Sequence, residues 1–224
     1  MHPKQIENNH HKEFQIERLI LFSDAVFAIA ITLLVIEIRV PEIATSADTT
    51  QDLIHALLDK IPEFFGFILS FAVIGQFWTN HHRLFGLVKD YNGKLIWLNL
   101  LMLFWIVLVP FTSGLNSRYG NLNIVWQIYS ANLALIALSL YFLYRYIGNP
   151  KNGLSDFAHD NVDRKYSFLR SSIVIWIFTL GGILASFDGI FFFWAARGIY
   201  FAIPILISIV NRRHQKAKTR QSHK

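Results

Sequence analysis

Several charged and strongly polar side chains of this sequence stand inside stretches that are otherwise apolar. Asp24 and Ser23 interrupt one such stretch near the N-terminus, and His81 and His82 close the next one. Groups of this kind are costly inside a membrane, so each one is a candidate functional site. A carboxylate and an imidazole at similar depth can pair, transfer a proton or make helix packing sensitive to pH.

Two interpretations of these groups stay open from the residues alone. In the first, Asp24 and the two histidines serve a secondary or proton-coupled transporter. In the second, they hold helices together, with Asp24 bonded to a histidine or to Arg18. For Arg197 we expect a structural role, either reaching water along its helix or pairing with Asp188 or Glu37. The remaining polar side chains in apolar stretches, for which we expect hydrogen bonds between helices, are Gln76, Asn99 and Asn132.

The sequence contains no motif for covalent catalysis. It has no cysteine, which excludes disulfides, thiolate metal sites and a cysteine nucleophile. It also lacks a zinc-protease motif and a Gly-rich phosphate loop. His81 and His82 are adjacent, so they point in different directions on a helix and are poorly placed to share a metal or a haem. We therefore predict that the chain is not an enzyme and has no resident cofactor or metal.

The composition places these polar groups in a membrane protein. Hydrophobic residues make up 53% of the chain and charged residues 16%, against about 25% charged residues in a soluble domain. A helix needs about 20 mostly apolar residues to cross a bilayer core about 30 Å thick, and long runs without period-2 alternation favour helices over barrel strands. We predict an all-α, polytopic membrane protein forming one domain, with six transmembrane helices at about residues 18–38, 62–82, 95–115, 123–145, 169–187 and 189–210.

Basic residues indicate which way the chain crosses the membrane. Lys and Arg concentrate in the N-terminal arm, in the loops after the second and fourth spans, and in the basic tail 211–224. The opposite side contains only Arg39, Lys60, Arg118 and Arg197. The positive-inside rule therefore predicts that both termini lie in the cytosol. This distribution also accounts for the net charge of +6 without a nucleic-acid partner.

One face of the first predicted helix forms a stripe. At about 100° per residue, one side of the helix carries Ile29, Thr32, Leu33 and Ile36. The polar side chains of Ser23 and Asp24 point away from this side. The middle of this stripe is apolar apart from Thr32. Such a stripe in a membrane helix is typical of packing or lipid contact and can also line a pore, and the spacing alone does not choose among these.

Two short segments resemble the signatures of the transmembrane protein 175 potassium channel family. The first comprises Arg18, Phe22-Ser23-Asp24, Ala28-Ile29, Thr32-Leu33-Leu34 and Pro41, and the second is Trp78-Thr79-Asn80-His81-His82. The polar start of the first span is the more specific of the two, and the six-span layout extends the resemblance over nearly the whole chain. No second Phe-Ser-Asp segment exists, so the chain resembles the prokaryotic members that have one six-span unit.

The resemblance implies a function and an assembly. Family members conduct K⁺ through a central pore lined by the first helix, and the single-repeat members assemble as homotetramers. They lack the Thr-Val-Gly-Tyr-Gly filter of ordinary potassium channels, and so does this chain. When the family's pore residues are carried over to this chain by position, the pore constriction and gate are rings of Ile29, Leu33 and Ile36. The threonine that the family links to selectivity corresponds to Thr32. The residues implied in a helix-packing network are Arg18, Phe22, Ser23, Asp24, Trp78, Asn80, His81 and His82.

From this resemblance we expect a potassium-permeable cation channel in the plasma membrane of a prokaryotic cell. Its partners would be the lipid bilayer, permeant monovalent cations and further copies of itself. Four Thr32 hydroxyls make a weaker ligand set than several rings of backbone carbonyls, so we expect modest selectivity for K⁺ over Na⁺. The alternative is the transporter that uses Asp24, His81 and His82.

Overall fold

The computed structural model describes residues 3–42, 49–156 and 161–222, and within these ranges the chain is helical and contains no strand. The helices are α1 (Pro3–Leu33), α2 (Thr49–Asp59), α3 (Ile61–Phe85), α4 (Gly93–Val107), α5 (Val109–Tyr119), α6 (Asn123–Ile147), α7 (Asn161–Leu184), α8 (Ile190–Gly198) and α9 (Ala202–Ser222). A short 3₁₀ turn at Leu34–Glu37 extends α1, and a second at Ile199–Phe201 joins α8 to α9. The all-α prediction is confirmed.

Six helical segments are long and apolar enough to cross a membrane, as the sequence predicted. They are Lys12–Glu37, Ile61–Phe85, Gly93–Tyr119, Asn123–Ile147, Val162–Leu184 and Ile190–Thr219, and they are called the first to sixth spans below. The helix of the sixth span continues to Ser222. Most of the segment expected to be a basic tail is therefore helical.

The third span consists of two helices, whereas the sequence suggested one. α4 ends at Val107 and α5 begins at Val109, with Leu108 between them. Pro110 accounts for the break because proline has no N–H to donate and its ring clashes with the carbonyl four residues earlier. Thr112 restores part of the bonding, since its backbone N–H donates to Leu108 O at 3.0 Å.

The buried core lies where α4 and α6 meet their neighbours. Its fully buried side chains include Phe27 of α1, Ile74 of α3, Met102 of α4 and Leu133 of α6. α1 packs against α3 and α4 on one side of the bundle, and α7 packs between α6 and α9 on the other. Because lipid is as apolar as these side chains, close packing holds the helices together rather than exclusion of water.

The first span buries one face and exposes the opposite one. The buried positions recur every three, four or seven residues, which is one face of a helix. They are Ile16, Ser23, Phe27, Ala30 and Leu34. The small side chain of Ala30, which is 1% exposed, allows a neighbouring helix to approach closely. The first span therefore lies at the side of the bundle with one face uncovered.

Contacts at the two ends of the bundle show that the spans alternate in direction. At one end, called the basic end below, Lys12 Nζ lies 2.6 Å from Asp90 Oδ2 in the loop after the second span. The hydrogen bond from Lys12 holds the pKa of the Asp90 carboxyl below its usual range. The loop after the fourth span reaches the same place, since Leu154 O accepts the Asp90 N–H at 3.4 Å. At the opposite end, Arg118 Nη2 lies 4.0 Å from Glu37 Oε2.

Candidate functional site

The stripe predicted on the first span is exposed in the single chain. The exposed fraction is 57% for Ile29, 38% for Leu33 and 69% for Ile36, and Thr32 is exposed as well. These side chains turn away from the core that holds the opposite face of α1. They are therefore available to lipid or to an axis shared with other copies of the chain.

The helix geometry changes within this stripe. The α-helix expected through residue 36 ends at Leu33 and continues as a 3₁₀ turn over Leu34–Glu37. In a 3₁₀ helix, side chains three residues apart eclipse each other. Ile36 is therefore carried directly beyond Leu33, and both stay on the exposed side even though the α-helical spacing no longer applies. Leu34, which is 2% exposed, anchors the turn in the core.

The Thr32 hydroxyl is the one polar group in the middle of the stripe. It donates to Ile29 O of its own helix at 2.9 Å. Because the proton is used inside the helix, the lone pairs of the hydroxyl oxygen are left to face outward. An oxygen in this state can accept a hydrogen bond from water or coordinate a cation.

Behind the stripe, three buried polar side chains link the first three spans. Asn99 Nδ2 donates to Ser23 Oγ at 2.9 Å, and Asn99 Oδ1 lies 2.7 Å from His81 Nε2. Ser23 donates in turn to Leu19 O at 2.8 Å. Since the amide oxygen of Asn99 can only accept, Nε2 carries the proton of the imidazole. This network fixes the back of α1 against α3 and α4.

Asp24 bonds to Trp78, whereas the sequence suggested a histidine or Arg18. Its Oδ1 accepts the Trp78 Nε1–H at 2.9 Å near the bundle surface. His82 is exposed and lies beside the Trp78 ring, with centroids 5.5 Å apart. The carboxylate of Asp24 and the ring of His81 thus have different partners and are not bonded to each other.

Three further residues implied in the packing network lie outside it in the single chain. The guanidinium carbon of Arg18 lies 5.9 Å from the centre of the Phe14 ring, and Phe22 is 51% exposed. Both belong to the uncovered face of α1, so they cannot reach the buried partners of Ser23. Asn80 contributes its backbone oxygen, which lies 3.4 Å from the Tyr144 hydroxyl.

Two residues with clear roles at this site were missed or underestimated from the sequence. Asn99 stood out only as a polar residue in an apolar stretch, yet it is the centre of the network. Glu37 lies at the far end of the stripe and covers Gly114 of α5, where a Cβ atom would collide with Glu37 Oε2. A glycine inside a helical pattern is a signal of such close approach.

Arg197 has a structural role, but its partners are not the expected carboxylates. Its Nη2 donates to Gly120 O at 2.7 Å, and its Nη1 donates to Phe193 O at 2.9 Å. Its guanidinium carbon also lies 4.9 Å from the centre of the Trp126 ring. Arg197 therefore satisfies a carbonyl just beyond α5 and connects the sixth span to the loop after the third. We had expected a pairing with Asp188 or Glu37 instead.

Comparison with known proteins identifies the family. Residues 18–110, which contain the stripe and the polar network, match the family described as endosomal/lysosomal potassium channel TMEM175. A protein of Chryseobacterium sp. (strain P1-3), named as a potassium channel, is 32% identical over 204 residues, covering 89% of this chain and 96% of the relative. The chain belongs to the TMEM175 family. The resemblance seen in the sequence is thereby confirmed.

Other TMEM175 family members extend the similarity to the whole fold. A potassium channel of Chamaesiphon minutus is 31% identical over 86% of this chain and 93% of the relative. The crystal structure of a TMEM175 homologue from Chamaesiphon minutus, described as a lysosomal potassium-selective channel homologue, superposes with a TM-score of 0.70 at 26% identity. The superposition covers 89% of this chain and 98% of that one.

Proposed function

We propose that this chain forms a potassium-permeable cation channel, as a homotetramer in which four first spans surround a central pore. One first span cannot enclose a pore, so several copies are required. The observation that carries the proposal is the exposed stripe of bulky apolar side chains and one hydroxyl, whose opposite face is fixed by buried hydrogen bonds. The relatives named as potassium channels, which align over nearly their whole length, support the same assignment.

The constriction and gate in this proposal are three apolar rings. Four copies of Ile29, Leu33 and Ile36 around one axis would stack as successive rings along the pore. A narrow apolar tube dewets and thereby stops ions without a physical plug. The exposed fractions of these three side chains, 57%, 38% and 69%, support the proposal because the single chain leaves them without a covering helix.

Selectivity in this proposal comes from Thr32 rather than from a filter of backbone carbonyls. The hydroxyl oxygen, with its proton directed to Ile29 O, can replace part of the hydration shell of K⁺. A ring of four such oxygens is flexible and supplies few ligands. We therefore propose modest selectivity for K⁺ over Na⁺.

We further propose that both termini face the cytosol in the plasma membrane of a prokaryotic cell. Lys12, Lys89 and the loop after the fourth span lie together at the basic end of the bundle. The positive-inside rule assigns such an end to the cytosolic side. Lipid, permeant cations and other copies of the chain are then the partners, and K⁺ passes through without serving as a cofactor.

The test of the proposed function is ion flux from purified protein in liposomes, first under a K⁺ gradient and then under a Na⁺ gradient. We expect flux of both ions, faster for K⁺, and a detergent-solubilised protein whose mass equals four copies of the 25.9 kDa chain. No flux above empty liposomes would contradict a channel. Flux that requires a proton gradient would instead favour the transporter that uses Asp24 and the histidines.

A further inference from the structure

A groove runs along the bundle surface between the second, fifth and sixth spans, and the fourth span lines its smaller cavity through Ala137, Leu140 and Tyr144. It consists of two cavities of about 230 and 480 Å³, and these are continuous because both are lined by Gln76, Phe77, Asn80 and Asn211. The rings of Phe77 and Phe178 lie 6.2 Å apart, and both side chains are buried. These two rings form the floor of the larger cavity.

Apart from Arg197 at the far end, whose guanidinium donates to Gly120 O and Phe193 O, the lining of the groove changes from apolar to cationic in one direction. On α3 the lining residues, in chain order, include Leu69, Val73, Gln76, Asn80 and Arg83. These positions are three or four residues apart and therefore share one face of the helix. Together they span about 21 Å of helix axis. Because α3 runs toward the basic end of the bundle, the arginine lies at that end and the apolar residues lie deeper in the membrane.

The other two walls show the same change in the same direction. On α9, which runs parallel to α3, the lining passes from Ile203 and Ile207 to Asn211. On α7, which runs the opposite way, it passes from Phe178 back to Arg170. Three separate helices therefore place polar groups at one end of the groove and apolar groups at the other, which is the pattern an amphipathic ligand requires.

The polar end of the groove carries two arginines and no acidic side chain among the lining residues that the structure describes. Arg170 Nη2 donates to His214 Nδ1 at 2.8 Å, and its buried Nε–H has no partner in the described part of the chain. Arg83 is exposed at the groove mouth. Asp163 lies behind this end, bonded to His214 Nε2 at 2.6 Å and to Lys218 Nζ at 2.8 Å, and its charge also acts on Arg170.

We propose that this groove binds an anionic phospholipid, with its phosphate between Arg83 and Arg170 and one acyl chain over Phe77 and Phe178. Guanidinium groups form charge-assisted hydrogen bonds to phosphate, and basic pockets between spans at the cytosolic side fit anionic head groups. The two amides of α3 supply further donors below the phosphate. A second copy of the chain is a poorer occupant because it brings a net charge of +6 to a cationic surface.

Native mass spectrometry tests this site without reference to ion conduction, so its failure would leave the proposed function intact. The purified protein in mild detergent is mixed with equal amounts of phosphatidylglycerol and phosphatidylcholine. We expect retention of phosphatidylglycerol in preference to phosphatidylcholine. Arg83→Gln and Arg170→Gln should each weaken this retention about fivefold. Arg213→Gln is the matched control, because Arg213 is exposed on α9 near the same end but does not line the groove.

A second variant tests the apolar half of the groove without changing charge. Ala72 lines the larger cavity, so Ala72→Phe should fill that part and lower phosphatidylglycerol retention while the protein elutes as the parent does in size exclusion. Equal retention of the two lipids, or unchanged retention in both arginine variants, would overturn the proposal. Complete displacement of the lipid by inorganic phosphate would also overturn it and would assign the arginines to a free anion.

Discussion

His81 Nε2 lies 2.7 Å from Asn99 Oδ1, and both side chains are completely buried. The bond joins the second span to the third, and the amide nitrogen of Asn99 continues it to Ser23 on the first. Stacking of His81 on Phe85, with ring centroids 4.2 Å apart, fixes the plane of the imidazole. The back of the first span is thus held by directional bonds, and these set the orientation of the stripe on its front.

Replacing Asn99 with leucine should destabilise the chain. The substitution leaves His81 Nε2 and Ser23 Oγ without their shared partner, and an unpaired buried polar group costs about 1–3 kcal/mol. The melting temperature of the purified protein in detergent should fall by several degrees, at about 2–4 °C per kcal/mol. Asn121→Leu, at an exposed position, is the control and should melt like the parent. A parent-like melting temperature for Asn99→Leu would refute the structural importance of the network.

Removing the Thr32 hydroxyl should reduce discrimination between K⁺ and Na⁺. Thr32→Ala deletes the oxygens that we propose as ligands, so the permeability ratio measured in liposomes should move toward one, whereas Thr32→Ser should keep the parent value. Thr79→Ala is the matched control, because Thr79 also donates to its own helix, at 2.9 Å to Gly75 O, but lies on the second span. An unchanged ratio in Thr32→Ala would exclude this residue from selectivity.

Gly181 permits a close approach of the fifth and sixth spans. A Cβ atom there would lie 2.5 Å from Tyr200 Cε1. The ring of Tyr200 cannot move aside freely, since it stacks on Trp126 at 5.4 Å and its hydroxyl lies 2.6 Å from Ser130 Oγ. Gly181→Ala should therefore cost about 1–3 kcal/mol and lower the melting temperature. Gly75→Ala, with open space around the new methyl group, should not. Equal melting temperatures for the two variants would contradict this packing.

The ion pair between Lys12 and Asp90 should make a small part of the stability depend on pH. Because Lys12 lowers the pKa of Asp90 in the folded chain, its contribution is fully present above the unfolded pKa of about 3.9. It is lost as pH falls through the lower folded pKa. Both side chains are partly exposed, at 40% and 37%, so the contribution is about 0.5 kcal/mol or less.

Asp90→Asn measures this contribution. It should lower the melting temperature slightly at neutral pH, and the difference from the parent should shrink in strong acid and in high salt. Asp52→Asn, at an exposed position on α2, is the control for removal of a negative charge. A difference between Asp90→Asn and the parent that stays constant with pH and salt would show that the pair does not act electrostatically.

The number and positions of the spans could be predicted from the sequence because the length of an apolar run responds directly to the thickness of the bilayer. The break at Leu108 could have been anticipated from Pro110. Proline is nevertheless tolerated in membrane helices when neighbouring groups satisfy the freed carbonyls, so its presence alone does not decide between a kink and a break. The change to a 3₁₀ turn after Leu33 had no comparable signal.

The partners within the polar network could not be assigned from the sequence. Which polar groups meet depends on which faces of three helices touch, and this is set by packing around small residues such as Ala30. For this reason Asp24 was expected near a histidine but bonds to Trp78. Helical spacing did place the stripe on one side of α1, because periodicity requires no knowledge of neighbours.

The proposal that the first span lines the pore is tested most directly by K⁺ flux through Ile29→Asn in liposomes. Ile205→Asn on α9 is the matched control, since Ile205 is 63% exposed and Ile29 is 57% exposed. A polar ring at position 29 should make the constriction easier to wet. We therefore expect several-fold faster flux than the parent for Ile29→Asn and parent-like flux for Ile205→Asn. Parent-like flux from Ile29→Asn, in protein that assembles to the same mass, would contradict a pore lined by this stripe.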